Sequence, residues 1–248
     1  MSGSEWQRLE GQHVHRVYDA IADHFSRTRH TPWPRVTSFL SSLPKASLVL
    51  DVGCGNGKYL SSIGCGGEGV AIVGCDRSAQ LLRICAERGF ESVRADAVDV
   101  AHVFRAGVLD ACLCVAVLHH LATKERRLRA LRAIARALRV GGRALVYVWA
   151  LEQTAEDGTR SHYWRREKRE EEEELTVDGL AVHANGTPFV AQDVLVPFKS
   201  AGERHLRFYH VFRAGELEAL LAEVEGVTIE EAFFESGNWA AIVRKTHE

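Results

Sequence analysis

Long apolar runs are missing from this chain. None is longer than the eight residues of Ala111–Leu118, well short of the roughly 20 that a membrane-spanning helix needs. Residues 1–11 are polar with no apolar centre, so the start does not read as a secretory leader. None of the six cysteines forms a CxxC pair, which argues against a zinc site. Cys54, Cys75, Cys112 and Cys114 instead fall in or beside apolar stretches, and the CxC spacing at 112–114 turns both thiols to one strand face. Buried free thiols in a reducing compartment are expected, with Cys65 and Cys85 completing the set. No internal repeat is visible. A net charge of −2 and a pI near 6.6 lack the basic excess that marks many nucleic-acid binders.

The balance hides local fields. Between Lys124 and Arg143 seven arginines and a lysine face one acid, Glu125, while 170–174 is a run of five glutamates. At ~100° per residue Arg129, Arg132, Arg136 and Arg139 share a stripe beside an apolar arc of Leu128, Leu131, Ile134, Ala135 and Leu138. That stripe is either a solvated face or a row of phosphate contacts. The glutamate run reads as a solvated face.

Helical spacing of Val14, Val17, Ile21 and Phe25 predicts an N-terminal amphipathic helix over 6–26. A loop with Arg27, Arg29 and Trp33 follows, and Pro34 opens a second helix. From Leu48 the pattern alternates: strands at 48–52, 70–75, 92–95, 109–118 and 143–149, helices at 79–88 and 123–139, the last stopped by Gly141-Gly142. Residues 154–191 show no consistent apolar face and read as a mobile insertion. A helix at 215–224 precedes a closing hairpin, 227–234 and 239–244. The expected fold is α/β: a doubly wound, Rossmann-like, mostly parallel sheet with an antiparallel C-terminal hairpin at its edge. It divides into a helical cap (1–45), a cofactor-binding core (46–153), the insertion (154–191) and a C-terminal completion of the sheet (192–248).

The strongest chemical signal is Val49-Leu-Asp-Val-Gly-Cys-Gly-Asn-Gly-Lys-Tyr-Leu60, where strand one meets the following helix, the place an open α/β sheet binds ligands. Gly53, Gly55 and Gly57 allow close backbone approach, but a dinucleotide fingerprint would need glycine at 58, which is Lys58. S-adenosylmethionine has no phosphate, yet its ammonium needs an acid, and Asp51 supplies one. Asp76, ending strand two, suits the ribose hydroxyls, and Asp96, ending strand three, suits the adenine amino group. Each acid could instead cap a helix. Cys54, Arg77, Ala97 and Val115 flank the same pocket. The expected cofactor is therefore S-adenosylmethionine in a class I methyltransferase fold.

Further stretches carry a resemblance: His13-Val-His-Arg-Val-Tyr-Asp, Arg27-Thr-Arg-His-Thr-Pro-Trp-Pro, Ala116-Val-Leu-His-His, Tyr147-Val-Trp-Ala-Leu-Glu-Gln, Gln192-Asp-Val-Leu-Val-Pro-Phe and Asn238-Trp. On these the chain resembles eukaryotic tRNA methyltransferases that esterify carboxymethyluridine at the wobble position, including the methyltransferase half of the AlkB-fusion member. The resemblance implies tRNA, through its anticodon loop, as one partner and a small zinc-binding activator subunit as another, with cytoplasm and nucleus as the place and no membrane. A carboxylate with a pKa near 4 is already ionised at neutral pH, so the site needs an arginine and neutral donors rather than a base. Candidates for catalysis are Arg27, Arg29, Trp33, His119 and His120. Trp149, Glu152, Gln153, Arg207, Tyr209, His210, Asn238 and Trp239 are candidates for substrate binding, and the two histidines and two tryptophans also suit plain packing. A same-fold enzyme for a small-molecule or protein carboxylate, and a non-catalytic scaffold, are the alternatives.

Overall fold

The computed structural model describes residues 3–29, 31–61, 69–154 and 175–247. Strands β1 (Leu48–Val52), β2 (Ala71–Asp76), β3 (Ser92–Arg94), β4 (Leu109–Val115) and β5 (Leu138–Trp149) run parallel. An antiparallel hairpin, β10 (Val227–Glu235) and β11 (Asn238–Lys245), completes a seven-stranded sheet in the order β10-β11-β5-β4-β1-β2-β3. The strands are apolar on both faces because helices cover both. Leu50, Val52, Cys112, Cys114, Val146 and Val148 pack under Leu128, Leu131 and Ile134 of α6 (Lys124–Ala137) and Leu217, Leu220 and Leu221 of α7 (Glu216–Ala222). Val49, Leu113, Leu145 and Tyr147 pack under Val36, Phe39 and Leu40 of α3 (Pro34–Ser41), while α4 (Ala79–Glu87) follows β2 and the short α5 (Val100–Val103) comes between β3 and β4. Period-two alternation thus sorts one apolar run into two cores. The cysteines behave as expected: Cys54, Cys75, Cys85, Cys112 and Cys114 are free and buried, whereas Cys65 lies outside the described residues.

Ser236 (φ +50°) and Gly237 (φ +78°) form the two-residue turn between β10 and β11, with both central residues left-handed as a tight hairpin prefers. Gly141-Gly142 does not stop the helix. α6 ends at Ala137, and Leu138 already pairs with Leu109. The two glycines sit where the β4–β5 register shifts between Leu109 and Ala111. A Cβ on Gly142 would lie 2.9 Å from the Arg139 carbonyl oxygen and 3.0 Å from that of Leu109. The pair serves a bulge, not a cap.

A second sheet stands apart from the first: β6 (Thr176–Val177), β7 (Leu180–Val182), β8 (Asp193–Ser200) and β9 (Glu203–His210), in that order. It corrects two expectations. Within 154–191 the described part is not an insertion without regular structure, since β6 pairs with β7 and β7 with β8; residues 155–174, with the glutamate run, lie outside the described residues. Residues 192–210 build this second sheet, so only β10 and β11 complete the main one. On one face Leu195 and Phe208 pack against Leu9, Trp6 and Val14. On the other Val194, Val196 and Tyr209 meet Phe189 and Trp149.

The partners of Leu195 belong to an N-terminal helical arm: α1 (Gly3–Glu10), a wide π turn (Gly11–His15) and α2 (Arg16–Thr28). The π turn brings Glu10 and His13 inward. Buried Glu10 accepts from the Ala122 amide at 2.8 Å and from Arg126 Nε at 2.9 Å, tying the arm to the start of α6. His210 ties the second sheet to α7, with Nδ1 2.6 Å from Asp193 and Nε2 2.7 Å from Glu216. Burial alone would lower the His210 pKa, but the two carboxylates outweigh it and raise it. Burial would raise that of Glu216, but His210 and the Arg213 amide bring it down to about 2.

The sign follows from linkage. A raised histidine stabilises fully below its usual 6.5 and fades as pH rises through its folded value. A depressed glutamate stabilises above its usual 4.5 and is lost toward 2. The stability difference between this chain and His210→Gln, measured by urea unfolding, should therefore peak between 4.5 and 6.5 and shrink in alkaline buffer. A difference that does not vary with pH contradicts the charged pairing.

Candidate active site

A cavity of about 1820 Å³ runs along the carboxyl ends of β1, β2, β3, β4 and β5, roofed by the N-terminal arm and the second sheet. Pockets for one small ligand usually measure ~300–1,000 Å³, so this one has room for a cofactor and a nucleotide together.

In the described residues 53–61 turns, not the expected helix, follow β1 and shape one end. Gly53 and Gly55 line the cavity at φ +70° and +56°. The amides of Gly53 and Cys54 both donate to the Cys75 carbonyl, at 2.7 and 3.0 Å. A Cβ on Gly53 would fall 2.3 Å from Val117 Cγ2, so the turn and the strand-four loop touch backbone to side chain. Gly57 does not line the cavity. A Cβ there would lie 2.7 Å from Phe90, and its role is to close the loop.

Asp51 is 2 % exposed, and its Oδ2 has no hydrogen-bond partner. Burial pushes its pKa to about 7, with Lys58 opposing and Asp76 adding to the rise. An orphaned carboxylate oxygen beside a glycine cradle fits the ammonium of S-adenosylmethionine. Asp76 accepts from the Gly55 amide at 2.9 Å and the Ser78 amide at 2.8 Å, which leaves a lone pair on each oxygen for a ribose diol. Asp96 caps the short turn Ala97–Asp99 through Val98, at 3.2 Å, and also receives Arg126 at 3.2 Å. Its capping role and its place in the cavity wall coexist. Arg77, Cys54, Ala97 and Val115 line the same end. The residues present fit the cofactor.

The other end collects the acceptor-side candidates. His119 and His120 occupy a buried turn after β4. His119 Nδ1 accepts from the Trp149 amide at 3.1 Å, so its proton sits on Nε2, and the ring stacks on Tyr209 with centroids 4.7 Å apart. His120 Nδ1 lies 2.9 Å from the Phe208 carbonyl and its Nε2 lies 2.8 Å from Tyr18 Oη. A carbonyl only accepts, so Nδ1–H donates and Nε2 receives the Tyr18 proton. Burial keeps both rings neutral, His119 well below the ordinary histidine range and His120 down to about 3. His119 offers a donor, not a base. Arg207 is 4 % exposed, its guanidinium 4.9 Å from the Phe198 ring centre and 5.2 Å from that of Tyr209. Trp149, Gln153 and Asn238 line the same end. The Gln153 amide nitrogen pins the Ala150 and Gly237 carbonyls at 2.7 and 3.1 Å. Asn238 likewise holds the hairpin turn through Glu235 and Ser236, which leaves its buried Oδ1 without a partner.

Arg29 and Trp33 reach the mouth of the cavity; Arg27 is exposed and does not line it. Three more candidates lie elsewhere. His210 is held by Asp193 and Glu216. Glu152 accepts from Trp239 Nε1 at 3.1 Å, and Trp239 packs edge-on against Phe234. Two residues of the cavity wall are not among the candidates. Tyr18 lines the cavity through the His120 contact; its spacing from Val14 and Ile21 marks only a helix face. Asn56 Nδ2 donates to the carbonyls of Ser26 and Arg29 at 3.3 and 3.1 Å. It stitches the arginine loop to the glycine turn, and nothing in its sequence position signals a partner so distant.

A methyltransferase-domain family model matches residues 50–146. Among solved structures, a Burkholderia thailandensis 1,6-didemethyltoxoflavin-N1-methyltransferase holding S-adenosylhomocysteine superposes with a TM-score of 0.59 at 17% identity, covering 100% of this chain and 92% of that one. A Haloferax volcanii methyltransferase in complex with the Trm112 activator gives 0.58 at 14% identity, covering 93% and 98%. Fold and site together define an S-adenosylmethionine-dependent methyltransferase domain. Its relatives are more particular. The tRNA (carboxymethyluridine(34)-5-O)-methyltransferase of Schizosaccharomyces pombe is 37% identical, over 95% of this chain and 97% of its own length. The Xenopus tropicalis enzyme of that name, alkbh8, is 44% identical over 96% of this chain. The chain belongs to this family of tRNA (carboxymethyluridine(34)-5-O)-methyltransferases. It spans 41% of the Xenopus relative's length.

Because Asp51 titrates near 7 in the ligand-free protein and must be ionised to hold an ammonium, cofactor affinity should fall about tenfold from pH 8 to pH 6. Calorimetry across that range checks it, with Asp51→Asn giving weak, pH-independent binding. A flat profile in the unaltered chain removes Asp51 from the ammonium site.

Proposed function

We propose that this chain esterifies the carboxylate of 5-carboxymethyluridine at the tRNA wobble position, giving the 5-methoxycarbonylmethyl product. The observation that carries the reading is buried Arg207 at the acceptor end, grouped with the neutral donors His119 Nε2–H and Tyr209. A guanidinium presents two parallel N–H donors to a carboxylate, and its burial beside the Phe198 and Tyr209 rings strips water from the pair. The bound cofactor supplies a sulfonium methyl, which a carboxylate oxygen takes as an ester, leaving a neutral thioether and no proton to remove. Neither histidine needs to act as a base, in keeping with their neutral, hydrogen-bonded state. Tyr18 and His120 position the roof, and Asp51, Asp76 and Asp96 hold the cofactor.

The family name and the S. pombe relative, which this chain matches end to end, support tRNA as substrate. The Haloferax complex supports a small activator subunit as partner, and in our reading that subunit binds zinc. Free, buried thiols support a reducing location, cytoplasm or nucleus.

Arg207→Gln should lower kcat/KM for carboxymethyluridine-bearing tRNA on the order of 10- to 100-fold, the worth of a charged hydrogen-bond pair, with cofactor affinity retained. Nucleoside mass spectrometry of the reacted tRNA measures it. Full ester formation by the variant would contradict the assignment.

A further inference from the structure

Two of the described cysteines meet beneath the cofactor turn, and neither takes part in the proposed methyl transfer. Cys54 lies between Gly53 and Gly55 of that turn, lines the cavity and is 5 % exposed. Cys85 lies in α4 and belongs to the same core cluster. Both sulfurs reach one acceptor, the Gly55 carbonyl oxygen, at 3.9 Å from Cys54 and 3.2 Å from Cys85. The two thiols also hydrogen-bond each other. That contact holds Cys85 below the ordinary thiol range and, with burial, pushes Cys54 above it. A sulfur that ionises readily beside a second thiol is the arrangement that oxidants attack and a neighbour resolves. Cys75, Cys112 and Cys114 differ. They are buried in β2 and β4, none lines the cavity, and burial pushes all three up.

The turn that carries Cys54 has little slack. The Gly53 and Cys54 amides are held by the Cys75 carbonyl, and the Gly55 amide by Asp76. Below it, a Cβ on Gly74 of β2 would fall 2.6 Å from Cys54 Sγ. A disulfide bond is about 2.05 Å long, much shorter than a hydrogen-bonding contact between sulfurs. Closing one draws Cys54 toward α4 and takes the turn, with the Gly55 amide that holds Asp76, out of its cofactor-binding shape.

We propose that Cys54 and Cys85 form a peroxide-sensitive pair whose oxidation to a disulfide closes the cofactor site. The sulfur that carries the thiolate takes one peroxide oxygen, becoming a sulfenic acid and releasing hydroxide, which the thiol proton already lost turns to water. Its partner then attacks that sulfur. The S–S bond forms, and the displaced oxygen leaves with the partner's proton as a second water. Two thiols are oxidised and one peroxide is reduced.

The test treats the 248-residue chain with hydrogen peroxide, with and without excess S-adenosylhomocysteine. Mass spectrometry of the unreduced digest reads the linkage, and calorimetry reads cofactor affinity before treatment, after it and after dithiothreitol. Peptides holding Cys54 and Cys85 should be joined while Cys75, Cys112 and Cys114 stay free, and bound S-adenosylhomocysteine should slow the joining. Affinity should fall about tenfold or more, a usual size for coupling between two sites, and recover with dithiothreitol. Cys85→Ser should bind the cofactor as the unaltered chain does and keep that affinity through the treatment. Absence of the Cys54–Cys85 link in the unaltered chain, a link that leaves affinity unchanged, or an equal loss in Cys85→Ser would overturn the proposal. The first two outcomes are read without the variant.

Discussion

Two buried charges of opposite sign, Asp51 at one end of a single cleft and Arg207 at the other, set the terms for everything around them. Ionised groups this deep are costly unless something answers them. The burial that raises the Asp51 pKa to about 7 is that cost made visible. In the proposed reaction the ammonium of the cofactor faces Asp51 and the substrate carboxylate faces Arg207. The sheet's carboxyl edge supplies the floor for both, and the long N-terminal arm and the second sheet supply the roof.

That roof is held by a few specific joints. His120 links the turn after β4 to the Phe208 carbonyl in β9 and to Tyr18 in α2. Glu10 joins the arm to α6, and Asn56 joins the arginine loop to the glycine turn. Each joint ties the parallel-sheet domain, at a loop or at α6, to something packed over it. The acceptor end is thus assembled by long-range contacts, while the cofactor end is assembled largely by one turn and the ends of three strands.

This difference explains what could be read in the sequence. The glycine turn, Asp51, Asp76 and the alternating core follow from local rules of period, dihedral freedom and strand-end chemistry, so they were legible. The second sheet was not. β6 and β7 are two and three residues long, and β8 is apolar on both faces and interrupted by Pro197, so no period declares it. Arg207 and Tyr209 were legible only through family resemblance, since their place depends on β9 folding over the cleft. His210, Glu152 and Trp239 fit the same resemblance yet serve ion pairs and packing. Gly141-Gly142 looked like a helix stop because the bulge it serves depends on β4, about thirty positions earlier.

The proposed esterification asks little of the protein beyond placement: an ionised carboxylate, a methyl donor, and a dry site with one arginine and neutral donors. What sets the proposed reaction apart is the bond that forms. Incubating the chain with tRNA carrying carboxymethyluridine and methyl-labelled S-adenosylmethionine, then treating the product with mild base, tests it directly. An ester releases the label as volatile methanol, which is the result this structure predicts. Label that stays on the nucleoside through base treatment would place the methyl on nitrogen, carbon or ribose oxygen and contradict it.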